Sequence, residues 1–169
     1  MTVMAIILAR KNSKGLKDKN IKKLNGLPLI LHTIKLAKKS KLIDDIVVST
    51  DSNIIQKLAI KNGVQAPFLR PKKISLDNTT DIEVLFYELK TYEKYYRKKF
   101  DYVCLLQPTS PLRTIEYLKK SLRKIKNLKA DALWTVSRVD SKYHPIKQVF
   151  SKKNFLKYYD KKGKFYKSR

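Results

Sequence analysis

VMAIIL, at residues Val3–Leu8, is a continuous apolar run that contains β-branched side chains. Such a run is typical of a strand that is buried on both faces of a sheet. Similar short runs recur at residues 45–50, 102–106 and 132–136, and segments with helical spacing separate them. Strands that alternate with helices in this way predict an α/β fold, in which helices cover both faces of a mainly parallel sheet.

Local signals mark where the predicted helices begin and end. These signals are Pro28 before Leu29–Lys39, Asp51 or Ser52 before a helix that ends at Gly63, the capping-box pair Thr80 and Glu83 before a helix to about Lys98, and Thr114 before a helix to about Leu128. We expect residues 64–69 to be extended and Trp134 to be a core residue. The pattern at 142–150 is that of a strand interrupted by Pro145, and residues 152–169 show no buried pattern.

The chain is strongly basic, with 39 Lys and Arg residues against 14 Asp and Glu residues and a net charge of +25. A charge of this size is found in proteins that bind nucleic acid or anionic membranes. The cations here are mostly lysines dispersed over predicted helix surfaces, which favours a solubilising surface. We therefore expect neither a nucleic-acid partner nor a membrane partner, although a basic nucleic-acid-binding domain stays as a less favoured alternative.

Cysteine usage and the N-terminal sequence bear on the cellular compartment. Cys104 is the only cysteine, so a disulfide framework within the chain is excluded, and its apolar neighbours predict a core position. The first apolar run is too short for a signal peptide or a membrane span. A reducing, cytoplasmic setting is the simplest expectation.

The segment from Arg10 to Asn20 is the strongest candidate for a binding site. It places five cations and several hydroxyl and amide donors directly after a predicted strand, and Gly15 allows close approach of the backbone. In parallel sheets ligands bind beyond the carboxyl ends of the strands, where residues 49–51 and 107–113 also fall. The glycine spacing fits neither a P-loop nor a dinucleotide-binding motif. Charge alone leaves a polyphosphate site and a solvated basic loop equally open.

Several short motifs occur together over the first two thirds of the chain. They are Ala9-Arg10, Ser13-Lys14-Gly15, Lys19-Asn20, Leu24-x-Gly26-x-Pro28, Val48-Ser49-Thr50-Asp51, Leu69-Arg70-Pro71 and the run LLQPTSPLR at 105–113. In these motifs and in their order, the sequence resembles the acylneuraminate cytidylyltransferases, the CMP-sialic acid synthetases. The related synthetases for 3-deoxy-manno-octulosonate have a different first loop and are less favoured.

The resemblance implies a three-layer α/β/α, Rossmann-like nucleotidyltransferase fold and a specific reaction. The anomeric hydroxyl of a sialic-acid-type nonulosonic acid attacks the α-phosphorus of CTP, and pyrophosphate leaves. The product is a CMP-sugar for surface glycans, Mg²⁺ is the implied cofactor, and the full-length form is implied to be a homodimer. A truncated paralogue that binds nucleotide without turnover is the alternative within this family.

The same resemblance implies a role for each matching residue. The CTP phosphates are expected to contact Arg10, Ser13, Lys14, Lys19 and Asn20. Lys19 is expected to be the main transition-state cation, assisted by Arg10. Arg70 is expected to position the cytidine, Asp81 to contact the nucleotide, and Gln107 to face the sugar or the ribose.

The resemblance also divides the chain into two parts. Residues 1–140 match a CTP-binding nucleotidyltransferase domain, and residues 141–169 match the start of a dimerisation and acceptor segment. Family members usually continue past this point, so we expect the second part to be incomplete. The metal ligands of the family are expected beyond it and are left unassigned.

Overall fold

The computed structural model describes residues 1–11, 15–76, 78–138, 140, 143–152 and 155–160. The chain divides into two compact units, Met1–Ala132 and Leu133–Arg169. The helices and strands of the first unit are β1 (Val3–Leu8), β2 (Lys23–Leu24), β3 (Leu27–Pro28), α1 (Leu29–Lys39), β4 (Asp45–Ser49), α2 (Asn53–Lys61), α3 (Asp81–Tyr96), β5 (Tyr102–Leu105) and α4 (Ile115–Leu128). Those of the second unit are β6 (Val149–Lys152) and β7 (Phe155–Tyr158).

The first unit is built on a parallel sheet with the strand order β4-β1-β5. Val3 to Ile7 on β1 are fully buried, as expected for a central strand of a parallel sheet. The segment expected to be extended continues the sheet beyond β4 through parallel bridges at Gln65 and Leu69. This order brings the carboxyl ends of β1, β4 and β5 to the same edge.

Helices cover both faces of this sheet, because alternate residues of each strand point to opposite sides. On one face, Ala5, Ile7 and Val48 pack with apolar residues of α1, α2 and α4. On the other face, Met4 and Val47 pack with apolar residues of α3. The predicted three-layer α/β/α arrangement is therefore confirmed.

The capping signals place the helix starts correctly. Ser52, rather than Asp51, caps α2 through its side chain, and Thr114 caps α4. The predicted capping box at the start of α3 is present in both directions, between Thr80 and Glu83. Gly63 has a φ of +71°, a left-handed conformation that ends α2 and that glycine adopts without strain.

A two-residue hairpin turn precedes α1. Asn25 and Gly26 have φ values of +48° and +77° between β2 and β3, as a tight turn of this kind requires. The side chain of His32 on α1 lies 2.9 Å from the carbonyl oxygen of Leu24 and so attaches the hairpin to the helix. Gly26 therefore lies in the turn that leads into α1.

The strand predicted at residues 132–136 is wrong. No ladder pairing includes this segment within the part of the chain that the structure describes, and Trp134 is 85% exposed. An apolar run becomes a strand only where another strand accepts its backbone hydrogen bonds. The expectation that Trp134 is a core residue is wrong for the same reason.

The second unit contains a short hairpin that the sequence only partly predicts. A 3-10 turn at Pro145–Lys147 comes first, and β6 then pairs antiparallel with β7. The prediction of a strand at 142–150 is thus correct only for its last two residues, and Lys142 lies outside the described residues. Among the residues that the structure describes, no helix is both long enough and apolar enough to cross a membrane.

Candidate functional site

A cleft of about 430 Å³ opens at the carboxyl edge of the parallel sheet. It is lined by Leu8, Arg10, Gly15, Lys19, Asn20, Arg70, Ile74, Ser75, Leu76, Thr79, Asp81, Val84, Gln107, Pro108 and Thr109. Among them are six of the eight residues that the sequence nominated for the site. The other two, Ser13 and Lys14, lie outside the described residues.

The basic loop after β1 reaches the cleft at both of its ends. Arg10 follows the strand directly, and Lys19 begins a 3-10 turn at Lys19–Ile21. Asp18 enters this turn with a left-handed φ of +54°, a conformation that a short polar side chain tolerates. The loop therefore folds back and brings two of the predicted phosphate-binding cations to one cavity.

Two polar side chains hold this loop in place. Asn20 is 5% exposed, and its Nδ2 donates a hydrogen bond to the carbonyl oxygen of Arg10 over 3.1 Å. Asp51, which follows β4, accepts a hydrogen bond from the backbone N–H of Lys11 at Oδ1 over 2.6 Å. Asn20 thus closes the loop on itself, and Asp51 ties the loop to the neighbouring strand.

Arg70 forms part of the cleft wall and is only 6% exposed. Its backbone N–H donates to the carbonyl oxygen of Thr50 over 2.7 Å, and its Nε donates to Oγ of Ser75 over 3.1 Å. Burial lowers the pKa of the guanidinium, and the carboxylates of Asp51, Glu88 and Asp81 act in the opposite direction. Hydrogen bonds to Thr50 and Ser75 therefore hold both the backbone and the guanidinium of Arg70.

Asp81 and Gln107 form a second polar pair in the lining of the cleft. Nε2 of Gln107 donates to Oδ2 of Asp81 over 2.6 Å, and Oγ1 of Thr109 lies 3.4 Å from Oε1 of Gln107. Asp81 is the first residue of α3, where a negative charge is favoured by the helix dipole. The carboxylate and the hydroxyl together orient the amide of Gln107.

Glu88 is a buried carboxylic acid behind the cleft that the sequence analysis did not nominate. It is 2% exposed and lies one helical turn after Val84, which lines the cleft. Burial raises the pKa of Glu88, and the charge of Arg70 acts against this rise. The signal was present in the sequence, because Glu88 falls between Val84 and Tyr92 on the buried stripe of α3.

Ser75, Thr79 and Thr109 also line the cleft without having been nominated as site residues. Ser75 reaches the cavity because a 3-10 turn at Lys72–Ile74 follows Pro71 and because its hydroxyl donates to the Pro71 carbonyl oxygen over 3.0 Å. A turn of this type has no clear sequence signal.

The residues that line the cleft include few side chains that could bind a metal ion. Among the described residues there is no group of three or more His, Cys, Asp or Glu side chains that could hold one. Asp81 is the one carboxylate in the lining given above, and it already accepts a hydrogen bond from Gln107. Mg²⁺ is commonly held by substrate phosphates together with one or two carboxylates. The described residues therefore do not form a protein cage for Mg²⁺.

Cys104 has no role in this cleft. It packs against the core, and burial raises the pKa of its thiol to about 11. A thiol with such a pKa is a poor nucleophile at neutral pH. The predicted core position of Cys104 is confirmed.

Comparison with known proteins identifies the family. Residues 4–169 match the family described as cytidylyltransferase. The chain is 36% identical over 157 residues to the CMP-N,N'-diacetyllegionaminic acid synthase of Legionella pneumophila, covering 93% of this chain and 67% of that protein. It is 31% identical over 169 residues to a pseudaminic acid cytidylyltransferase of Campylobacter jejuni, covering 100% of this chain and 71% of the relative.

A further relative is an N-acylneuraminate cytidylyltransferase of Streptococcus agalactiae, which is 35% identical over 147 residues and covers 86% of this chain. The match spans only 34% of that relative's length. Among solved structures, a CMP:2-keto-3-deoxy-manno-octonic acid synthetase superposes with a TM-score of 0.62 at 19% identity, covering 77% of this chain and 49% of that one. This likeness supports the fold alone. The chain belongs to the cytidylyltransferase family, as its ordered motifs predicted.

Proposed function

We propose that this chain transfers CMP from CTP to the anomeric hydroxyl of a sialic-acid-type nonulosonic acid and releases pyrophosphate. The observation that carries the proposal is the convergence of Arg10, Lys19 and Arg70 with Asp81 and Gln107 in one cleft. Three relatives that match the chain are named for three such sugars, the legionaminic, pseudaminic and neuraminic acids.

The cationic part of the cleft suits the triphosphate. In the proposed reaction a bond forms between the anomeric oxygen and the α-phosphorus, and the bond to the bridging oxygen of the pyrophosphate breaks. Negative charge then grows on the leaving pyrophosphate, and the hydroxyl proton passes to solvent. Arg10 and Lys19 neutralise this charge, with Lys19 as the main cation, because fixed cations in a cleft stabilise developing charge more strongly than water does.

The remaining cleft residues position the two substrates. Arg70 is held by Ser75 through Nε, so its terminal nitrogens face a fixed direction and can orient the nucleotide. Gln107 is oriented by Asp81, which favours a directional contact with hydroxyl groups of the sugar or the ribose. The reaction needs no covalent intermediate and no nucleophilic side chain. The Mg²⁺ expected from the family would be carried by the phosphate oxygens, and the homodimer expected from the family stays a prediction.

The proposal is tested in two steps with the chain as given. Calorimetry with CTP and ATP first measures nucleotide preference, and we expect CTP to bind more tightly. Mass spectrometry then measures CMP-sugar formation from CTP with each of the three acids in turn. A product with one acid identifies the substrate class. CTP binding without product from any acid would support the nucleotide-binding paralogue, and equal or absent binding of both nucleotides would contradict the proposed site.

A further inference from the structure

Three polar side chains are buried at or near the end of β4 and on α3: Ser49 at the end of β4, Arg70, whose backbone N–H donates to the Thr50 carbonyl oxygen, and Glu88 on the buried stripe of α3. Ser49 is fully buried, Glu88 is 2% exposed and Arg70 is 6% exposed. Ser49 ends β4 on the face that Val47 presents to α3, since residues two apart on a strand share a face. Oε1 of Glu88 and Oγ of Ser49 have no hydrogen-bond partner among the described residues.

Two ionisable groups of opposite sign therefore lie in a region with little access to water. Removing either charge from water is costly unless the other compensates for it. Arg70 and Glu88 do compensate for one another, because each shifts the pKa of the other toward the charged form. Burial opposes this effect at both residues, so the charge of Glu88 is only weakly held.

Arg70 has one face in the cleft, whereas Glu88 is absent from the cleft lining. An anion that binds in the cleft therefore acts on the same guanidinium as Glu88 does. Once phosphate oxygens supply the counter-charge, the carboxylate of Glu88 loses part of its attraction to Arg70 while its burial is unchanged. Its protonated form is then favoured.

We propose that Glu88 is a positioning residue that acts on the nucleotide through Arg70, as its counter-charge in the ligand-free protein and as a proton acceptor when nucleotide phosphates bind. This inference rests on the proposed nucleotide site. A cleft that contained only fixed cations would take up no proton when the nucleotide binds. With Glu88 acting on Arg70, binding is linked to proton uptake. In the ligand-free state Glu88 also limits the attraction of Arg70 for anions.

Other charged groups also act on the guanidinium of Arg70. Asp51 after β4 and Asp81 at the start of α3 attract the Arg70 guanidinium, and Arg10 after β1 repels it. Arg70 is the charged group that acts on Glu88 besides burial. The native chain, Glu88→Gln and Glu116→Gln all keep Arg10, Asp51 and Asp81. The effects of these three charges on CTP binding are therefore common to the comparison.

Glu88→Gln is the informative variant, because glutamine keeps the shape of the side chain and removes its charge. At pH values at which Glu88 is ionised, we expect this variant to bind CTP about threefold to tenfold more tightly than the native chain. The reason is that the variant lacks one buried negative charge that attracts Arg70. At low pH the native carboxyl is protonated, and we expect the two affinities to converge. Glu116→Gln, an exposed position on α4, makes the same change in net charge and is the control.

The test is calorimetry with CTP at several pH values between about 5 and 8, above the ordinary glutamate pKa, in pairs of buffers with different ionisation enthalpies. The buffer dependence of the heat gives the number of protons taken up. We expect more protons taken up by the native chain and by Glu116→Gln than by Glu88→Gln, because protons exchanged by CTP itself are common to all three. Equal uptake and equal affinity in all three would overturn the inference while leaving the nucleotide site intact.

A measurement on the native chain avoids dependence on the variant. The ¹³C shift of the Glu88 carboxyl carbon, followed by NMR against pH, gives its titration directly. We expect the titration midpoint to move to higher pH when CTP is added. An unchanged midpoint with bound CTP would overturn the inference, and a chain that binds no CTP would overturn both the inference and the proposed function.

Discussion

Nε2 of Gln107 lies 2.6 Å from Oδ2 of Asp81 and joins the loop after β5 to the first turn of α3 in the lining of the cleft. The amide must present its N–H to the carboxylate, because its oxygen would be repelled there. Oε1 therefore faces Thr109 at 3.4 Å. A short contact to a charged acceptor fixes the amide more firmly than a contact to a neutral acceptor would.

Asp81→Asn removes this charge and leaves the size of the side chain unchanged. We expect kcat/KM for the sugar to fall about tenfold or more, since a hydrogen bond to a charged group contributes about 1.5–3 kcal/mol. A fall confined to kcat/KM for the sugar would place Gln107 at the acceptor, and a fall shared by the affinity for CTP would place it at the ribose. Steady-state kinetics with each substrate varied separately measures the two effects. Asp131→Asn, at an exposed position, is the control, and unchanged kinetics with both substrates would contradict the positioning of Gln107 by Asp81.

Lys19→Ala removes the cation assigned to the leaving pyrophosphate. We expect kcat to fall about 100-fold to 1,000-fold, the range found when one fixed group that stabilises transition-state charge is removed. Pyrophosphate release under saturating substrates measures this change. Lys57→Ala, at an exposed position on α2, should behave as the native chain. Near-normal turnover of the Lys19 variant would reject Lys19 as the main cation.

Asn20→Ala tests whether the loop must be closed on itself. The hydrogen bond from Nδ2 to the Arg10 carbonyl oxygen is lost, and we expect the free energy of unfolding to decrease by about 1 kcal/mol. The affinity for CTP should fall as well, because Arg10 and Lys19 are no longer held together. Thermal unfolding and CTP calorimetry on the same samples measure the two effects. Asn127→Ala on α4 is the control, and unchanged CTP affinity with reduced stability would show that Asn20 acts on the fold alone.

The buried carboxyl of Glu88 predicts a specific pH dependence of stability. Its pKa in the folded chain is raised, mainly by burial, whereas in the unfolded chain it lies near the ordinary value of about 4.3. The folded chain then holds the proton more tightly, so this group stabilises the fold at pH values below the unfolded pKa. That contribution is lost as the pH rises through the folded pKa.

Glutamine at position 88 mimics the protonated acid and does not titrate. We therefore expect the free energy of unfolding of Glu88→Gln, relative to the native chain, to increase from about pH 4 upward and to level off above the folded pKa. Urea denaturation at a series of pH values measures the difference. A difference that decreases with pH would mean that attraction by Arg70 outweighs burial.

Much of the fold was predictable because it follows from local rules. A continuously apolar run such as Val3–Leu8 has few alternatives to a buried parallel strand, and the side chains of Thr80 and Glu83 specify a helix start by themselves. The failure at residues 132–136 has a physical reason. A strand also needs a partner for its backbone, and the apolar character of Trp134 and its neighbours carries no information about one.

The cleft was predictable where its residues follow strands and fall in ordered motifs. Arg10 and Gln107 come soon after β1 and β5, so their meeting at one edge follows from parallel pairing. Ser75 was missed because an irregular turn brings it to the cavity. Glu88 could have been found from its position on the buried stripe of α3, but the effect of its charge on Arg70 follows only from the fold.

The central claim is that this cleft couples CTP to a nonulosonic acid. A continuous pyrophosphate-release assay tests it most directly, with CTP and Mg²⁺ in the presence and absence of legionaminic, pseudaminic or neuraminic acid. The account predicts release that requires both CTP and one of the acids and that is lost in Lys19→Ala but retained in Lys57→Ala. Release that is independent of any acid, or no release with any of them, would contradict it.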